Sequence, residues 1–378
     1  METQTEVQEA PAGAARLLVA GVGGAGGNAI HGLLRAGVPG VELLAINTDA
    51  QALAHTQAPR WLRIGPRLTR GQGAGGDPEI GLRAAEESRA AIRASLAGND
   101  MVFLAAGLGG GTGTGAGPAV AAIARELGAL TVAVVSTPFA FEGERRRLAA
   151  ERGLAALAEQ VDTLIVVPNE RLLELAGAAM RLSEAYALAD DVLRQGVRAI
   201  SDLIARAGYI NLDFADVRAV LADAGSAVLG VGQASGEDRV AQALGAALSH
   251  PLLDRDITGA RAALVHVSGG PDVTLREVSQ VVEELRHRIH PEASVVVGTA
   301  ENGALAGALA VTVVASGFAP HIAAAAGGGV RVQRAAPAVQ EDASAGPALV
   351  ALPRRVVAAP LAGEDGPRTG PVRVRPAG

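Results

Sequence analysis

The sequence predicts an α/β protein in which a doubly wound, Rossmann-like domain around a parallel sheet is joined by one long helix to a smaller α+β domain. Three observations carry that reading. Between residues 16 and 199 short apolar runs alternate with longer helical segments, and the runs are continuous, as strands covered on both faces must be. Glycine clusters at residues 21–27 and 107–115 follow two of those runs, at the strand ends where doubly wound folds bind ligands. From residue 183 to 205, Tyr186, Ala189, Leu193, Val197, Ile200 and Ile204 recur at helical spacing without a proline, which predicts a long, largely buried helix whose one weak point is Gly196.

In chain order, residues 1–15 read as a disordered tail, 16–182 as the doubly wound domain, 183–206 as the central helix, 207–318 as the C-terminal α+β domain and 319–378 as a second disordered tail. Strands of the first domain are expected at 17–20, 41–46, 101–106, 131–136 and 164–167. The second domain shows strand patterns at 263–267, 294–298 and 310–315, and a helical pattern over 275–289. After Phe318 the chain turns to Ala, Pro and Gly, with too few large apolar side chains to offset the entropy of ordering.

Composition narrows the chemistry. A chain of 378 residues, 49% hydrophobic, has material for two domains with cores. It contains no Cys, which excludes disulfides, thiolate metal sites and a cysteine nucleophile, and its seven His lack metal-ligand spacing. With no basic, apolar leader and no apolar run of the ~20 residues that cross a bilayer, a soluble cytoplasmic protein is expected. All 33 basic residues are Arg. A Walker-type loop needs Lys, so a triphosphate here would be neutralised by N–H dipoles, Arg and a metal ion. The net charge of −6 divides into +3 over residues 319–378, with seven Arg and four acids, and −9 elsewhere. So acidic a body is a poor nucleic-acid partner.

The stretch Gly109-Gly110-Gly111-Thr112-Gly113-Thr114-Gly115 follows a strand pattern and precedes a helix expected from about Pro118. Small residues leave backbone N–H groups open to an anion, and the helix dipole adds to their pull, which describes a phosphate cradle. Gly21-Val22-Gly23-Gly24-Ala25-Gly26 also satisfies GxGxxG, and Asp49 ends the next strand, where a dinucleotide enzyme binds a ribose hydroxyl. Alone, that pattern reads as an NAD-dependent dehydrogenase. Two converging glycine loops instead suit a longer phosphate chain, and Asn28, Asn47, Thr48 and Asp49 become candidates for base, phosphate or metal-water contacts.

At these residues the sequence resembles the tubulin/FtsZ family of GTPases. Residues 107–115 resemble its signature loop, Gly21 to Asn28 its first phosphate loop, Asn47-Thr48-Asp49-Ala50-Gln51-Ala52-Leu53 its second, and Thr137-Pro138-Phe139 to Gly143 its sugar-contacting loop. Asn211-Leu212-Asp213-Phe214-Ala215-Asp216-Val217 resembles the loop that completes a neighbouring subunit's site, and the likeness runs from about Arg16 to Phe318. The resemblance implies a mixed sheet in the second domain, GTP/GDP and Mg²⁺ as ligands, and head-to-tail self-assembly into filaments of the midcell division ring. Gly23, Gly24, Ala25, Gly26, Gly27, Asn47, Thr48, Gly75 and residues 109–115 would surround the phosphates, and Mg²⁺ would be held mainly by the phosphates. Pro138, Glu142 and Arg146 would lie at the sugar. Asn28, Asn169 and Asp190 would read guanine with Tyr186 against the base, although adjacent Asp191 could take the part of Asp190. A carboxylate can accept from both N1–H and the exocyclic amine of guanine and finds no such pair on adenine.

Asp213, Asp216 and Asn211 would act on the next subunit's nucleotide, so hydrolysis would need assembly. Plain structural roles stand beside these. Asp213 and Asp216 also read as helix caps, Glu142 and Arg146 as an i,i+4 ion pair, and Tyr186 as core. The alternative within the same resemblance is a GTP-binding relative that regulates division without forming filaments. Three departures stand out: Gly76-Asp77 puts a carboxylate on the loop expected near the terminal phosphate, the strand region 299–310 is poor in charge and short for the family, and Ala351-Leu352-Pro353-Arg354-Arg355-Val356 lacks the aromatic and acid of the family's terminal peptide. That peptide docks on membrane tethers, so contact with division proteins and, indirectly, the membrane is expected through a tail whose Arg373 and Arg375 suit acidic partners.

Overall fold

A computed structural model describes residues 15–38, 40–175, 181–205, 210, 213–249 and 256–318. Asn211 and both terminal tails, 1–14 and 319–378, lie outside the described residues. The chain runs β1 (Leu17–Val22), α1 (Gly23–Ala36), β2 (Val41–Asn47), α2 (Ala50–Ala54), β3 (Arg60–Arg63), α3 (Pro78–Glu87), α4 (Arg89–Leu96), β4 (Met101–Gly107), α5 (Thr112–Glu126), β5 (Leu130–Thr137), α6 (Glu144–Ala158), β6 (Thr163–Pro168), α7 (Asn169–Leu175) and α8 (Leu182–Ala205). It continues with α9 (Phe214–Leu221), β7 (Gly225–Ser235), α10 (Arg239–Leu248), β8 (Ala262–Gly269), α11 (Leu275–Arg286), β9 (Ser294–Glu301) and β10 (Ala308–Ser316).

Seven strands pair in parallel in the order β3-β2-β1-β4-β5-β6-β7, and β10, β8 and β9 continue beyond β7 as a mixed sheet. The pleat sends Leu17 and Val19 to one face and Leu18, Ala20 and Val22 to the other, and all five are buried. This double burial produces the continuous apolar runs seen in the sequence. One core lies under α1, α8 and α9 and extends to Leu229, Leu264 and Val314 of the mixed sheet; a second lies under α3 to α6, and a third lies between the mixed sheet and α10 and α11.

The switch in strand order falls between β1 and β4, which pair as far as Val22 and Ala106. Helices α1 and α5 leave these adjacent strands at the same edge, so the two glycine loops meet. The central helix has its expected extent. Gly196, expected to weaken it, instead admits the sheet: a Cβ there would stand 3.0 Å from Val134 Cγ1. Four expectations need correction. α5 begins at Thr112, not near Pro118, because its glycines are already helical. α11 ends at Arg286, three residues early. β3 and β7 carried no predicted strand, yet β7 joins both sheets, residues 225–227 pairing with β6 and 228–235 with β10.

Candidate functional site

The cradle is made by two helix starts. The first four N–H groups of a helix have no intrahelical acceptor, and α5 closes its first such bond only from Gly115 N to Gly111 O at 3.0 Å. α1 begins directly after β1, at Gly23 with φ +77° and without a side-chain cap. A Cβ on Gly23 would lie 3.0 Å from Gly113 N, so both positive helix ends face one space. Around it, a Cβ on Gly24, Gly27, Gly75 or Gly110 would meet nothing within 4 Å. These positions leave room for phosphate.

The other glycines of the motif serve packing. A Cβ on Gly26 would come within 2.4 Å of Ala105 O, on Gly111 within 2.9 Å of Asp77 N, on Gly113 within 2.4 Å of Gly107 O and on Gly115 within 1.9 Å of Pro78 O. Gly109, at φ +97°, is hemmed in by Pro138 and Arg146. Hydroxyls tie the parts together: Thr48 Oγ1 and Thr112 Oγ1 are 2.7 Å apart, and Thr114 Oγ1 accepts from Gly109 N at 2.9 Å. Asn47 is buried, its Oδ1 accepting from Asp49 N at 3.2 Å. Ala25 lies against Gly107. The Asp49 carboxylate caps α2, accepting from Gln51 N and Ala52 N, a local role that removes the chief support for a dinucleotide site. Asp77 likewise caps α3 through Glu79 N at 2.9 Å, so its charge meets a helix N-terminus.

Beside the cradle, α1 and α8 are bridged by Asn28 Nδ2, which donates to Asp190 Oδ2 at 2.9 Å. Burial pushes the Asp190 carboxyl up to about 6, and the Asn28 bond opposes that rise. Asp191 is engaged on its own helix by Arg194 and by Gln195 at 2.6 Å, which leaves Asp190 as the carboxylate facing Asn28. Asn169 opens α7 and is 6% exposed, and its Oδ1 has no protein hydrogen-bond partner. A buried acceptor with no donor is costly unless a ligand supplies one. Glu142 accepts from Phe139 N at 3.1 Å and pairs with Arg146, while Glu170 Oε2 holds the same loop through Ala140 N at 2.8 Å. Tyr186 is 38% exposed, contrary to its place in the expected buried stripe. It stands edge-on to Phe139 at 5.5 Å and to Phe141 at 6.4 Å, and those two rings stack at 5.2 Å.

Asp213 and Asp216 lie elsewhere. From Asp190 to Ala205 the central helix advances about 22 Å away from the cradle. Beyond it α9 closes at the amino-terminal edge of the parallel sheet, where Leu221 O accepts from Thr163 Oγ1 at the start of β6. Asp213 Oδ1 accepts from Asp216 N at 2.8 Å, and Asp216 Oδ2 accepts from Asp213 N at 3.4 Å. This is a capping box, and it engages one oxygen of each carboxylate.

Two family models match the chain: the GTPase domain of the tubulin/FtsZ family over residues 16–177 and the C-terminal domain of the FtsZ family over residues 225–319. An empty FtsZ dimer from M. jannaschii is 46% identical, with a TM-score of 0.77, over 80% of this chain and 88% of that one. The chain belongs to the FtsZ family. CetZ2 from Haloferax volcanii, solved as a GTPγS-bound protofilament, is 26% identical with a TM-score of 0.67 over 81% of this chain and 94% of that one. GDP-bound CetZ1 from the same organism is 20% identical with a TM-score of 0.70, over 81% and 95%, and shares the fold. The chain is therefore a GTP-binding GTPase of a filament-forming cell-division family, with the fold that family has.

FtsZ-family resemblance found the loops but did not single out Phe141, 59% exposed beside Phe139 and Tyr186. Its signal was rarity: the chain has eight aromatic residues, and Phe139 and Phe141 are two of them, two positions apart. Among the described residues no group of three His, Asp or Glu could hold a metal ion, and no helix is long and apolar enough to cross a membrane.

Proposed function

We propose that the cradle binds GTP through the N–H groups of α1 and α5, and that a neighbouring subunit completes the hydrolytic site with Asp213, Asp216 and Asn211. The observation that carries this is the separation of parts: phosphate donors converge at one pole, while the carboxylates able to orient a water stand at the other. Asp190 accepts from guanine N1–H and the exocyclic amine, and Asn169 Oδ1 and Asn28 complete the base edge. Glu142 takes the ribose, Arg146 lies between sugar and phosphate, and Tyr186 covers the base. Mg²⁺ enters with the triphosphate, held mainly through its oxygens, and supplies charge neutralisation.

Docking one pole on the other does not close, so repetition yields an open filament. Because phosphoryl transfer is chiefly positioning and charge stabilisation, assembly alone switches the site on. The protein acts at the midcell division ring, with division proteins and membrane tethers as partners. Phosphate release and light scattering followed across a dilution series test the reading. Turnover per molecule should rise from near zero above a threshold concentration together with scattering. Constant specific activity on dilution would refute the split site, and nucleotide binding without scattering would favour the regulatory, non-filamentous alternative.

A further inference from the structure

We propose that Arg125 and Arg218 are positioning residues for the carboxylates of α9, forming a reciprocal brace between that helix and the helix that starts in the cradle. The inference rests on the reading that Asp213 and Asp216 serve a neighbour's nucleotide. α5 spans 15 residues, about 22 Å. In its last turn Arg125 Nη2 donates to Asp223 Oδ1 at 2.9 Å and Nη1 to Glu159 O at 3.3 Å. Asp223 sits in the turn from α9 to β7 at φ +50°, in the left-handed region where few residues but Gly, Asn and Asp rest.

The second arm runs the other way. Arg218 of α9 donates from Nη2 to Gly128 O at 3.2 Å, in the turn that leaves α5. The same guanidinium lies 5.9 Å from the ring centroid of Phe214, the residue next to Asp213. Each helix thus grips the turn that follows the other. At the far end of α9, Ser316 Oγ donates to Val220 O at 2.8 Å and Thr163 Oγ1 to Leu221 O, both from fully buried residues. The carbonyls that a helix leaves unpaired at its end are therefore anchored to β6 and β10.

With its C-terminus fixed, an eight-residue helix can still swing its N-terminus. Arg218, held at Gly128 O and lying over the Phe214 ring, restrains that swing, while Arg125 holds the turn at Asp223 about which α9 would pivot, and together they set where Asp213 and Asp216 stand. A displacement of about 1 Å at a reacting group can cost up to ~10²-fold in rate. Asp223 and Arg218 are exposed and the Arg125 side chain is 38% exposed, so neither the ion pair nor the single bond to Gly128 O should add much to global stability, and their loss should leave the fold intact.

The test uses the full chain as Arg125→Ala, Arg218→Ala, Arg218→Lys and the charge-swapped Arg125→Asp/Asp223→Arg, with Asp216→Ala alongside. GTP affinity, melting temperature and turnover per sedimented subunit are measured. The Ala variants should keep affinity and melting temperature and lose about tenfold in turnover within the filament. The swap should recover part of the Arg125 loss, since it restores the link to residue 223 but sets a carboxylate near Asp162, 4.0 Å from Arg125 Nε, and Arg218→Lys should recover part of the other. A variant that does not sediment alone is copolymerised with the unaltered chain, where turnover should fall in proportion to its share. Unchanged turnover, a matching loss of GTP affinity, or a swap that rescues nothing would overturn the brace. If Asp216→Ala hydrolyses at full rate in filaments, the reading beneath it fails. If Asp216→Ala is silent while the arginine variants are normal, the brace alone fails.

Discussion

At the cradle pole the groups open to a ligand are backbone N–H donors left over by two helix starts, whereas the groups proposed to act from the α9 pole are carboxylates that already cap their own helix. The first arrangement works by shape: glycines either leave space or allow close approach, and no side chain need react. On the proposed function the second would work by charge, the same carboxylates doing structural and chemical duty. Sensitivity to substitution should therefore follow steric room at one pole and ionisation at the other.

The largest effect expected is at the charged pole. Ser caps a helix about as well as Asp, so Asp213→Ser should keep the bond to Asp216 N and leave stability within about 1 kcal/mol. Turnover in filaments should nonetheless fall by roughly 10²- to 10⁴-fold, the usual cost of removing a general acid or base. Denaturant melts paired with phosphate-release rates check both halves. Full activity in Asp213→Ser would reduce that carboxylate to a cap.

At the cradle pole two glycines five residues apart should behave in opposite ways. Gly115→Ala forces a methyl to within 1.9 Å of Pro78 O and should cost about 1–3 kcal/mol of stability through overpacking. Gly110→Ala meets nothing within 4 Å and should fold as well or slightly better, by up to about 1 kcal/mol, because the unfolded chain loses freedom. Its methyl would occupy the phosphate space, so nucleotide affinity should fall while stability does not. Calorimetry for stability and titration for GTP binding decide it, and parallel losses in the two variants would contradict the division of labour among the glycines.

The same contrast explains what could be read from sequence. Strands buried on both faces declare themselves as continuous apolar runs, and the five inner strands of the nucleotide domain were legible. Arg60-Trp61-Leu62-Arg63 was not, because an edge strand with an Arg at each end has no such run. β7 was hidden by Gly225, Gly230 and Gly232, which weaken a strand pattern. Gly232 is nevertheless demanded, since a Cβ there would stand 2.1 Å from Ala243 O of α10. Loops that bind through backbone need glycine at fixed spacing and were visible. The aromatic group was not, because Phe141 and Tyr186 come from segments far apart in the chain, and helical periodicity alone placed Tyr186 in the core.

The smallest effect expected is also the one that joins the two kinds of chemistry, because Asp190 is a charge set among backbone donors. Its carboxyl is raised to about 6 by burial, against about 3.9 when unfolded. Native protein therefore binds the extra proton between those values, and the contribution of Asp190 to stability is complete below pH ~4 and lost as pH rises through 6. Glu277, lowered by its bonds to Arg239, has the opposite sign and loses its contribution as pH falls. If Asp190 reads guanine as proposed, it must be ionised to accept the two N–H groups, and GDP binding at pH below 6 would then release a proton. The dissociation constant should rise toward tenfold per pH unit below about 6 and be flat above 7. Calorimetric titrations in buffers of different ionisation enthalpy count that proton, with Asp190→Asn as the control whose residual slope belongs to the phosphates. An equal slope in Asp190→Asn would mean that Asp190 does not read the base.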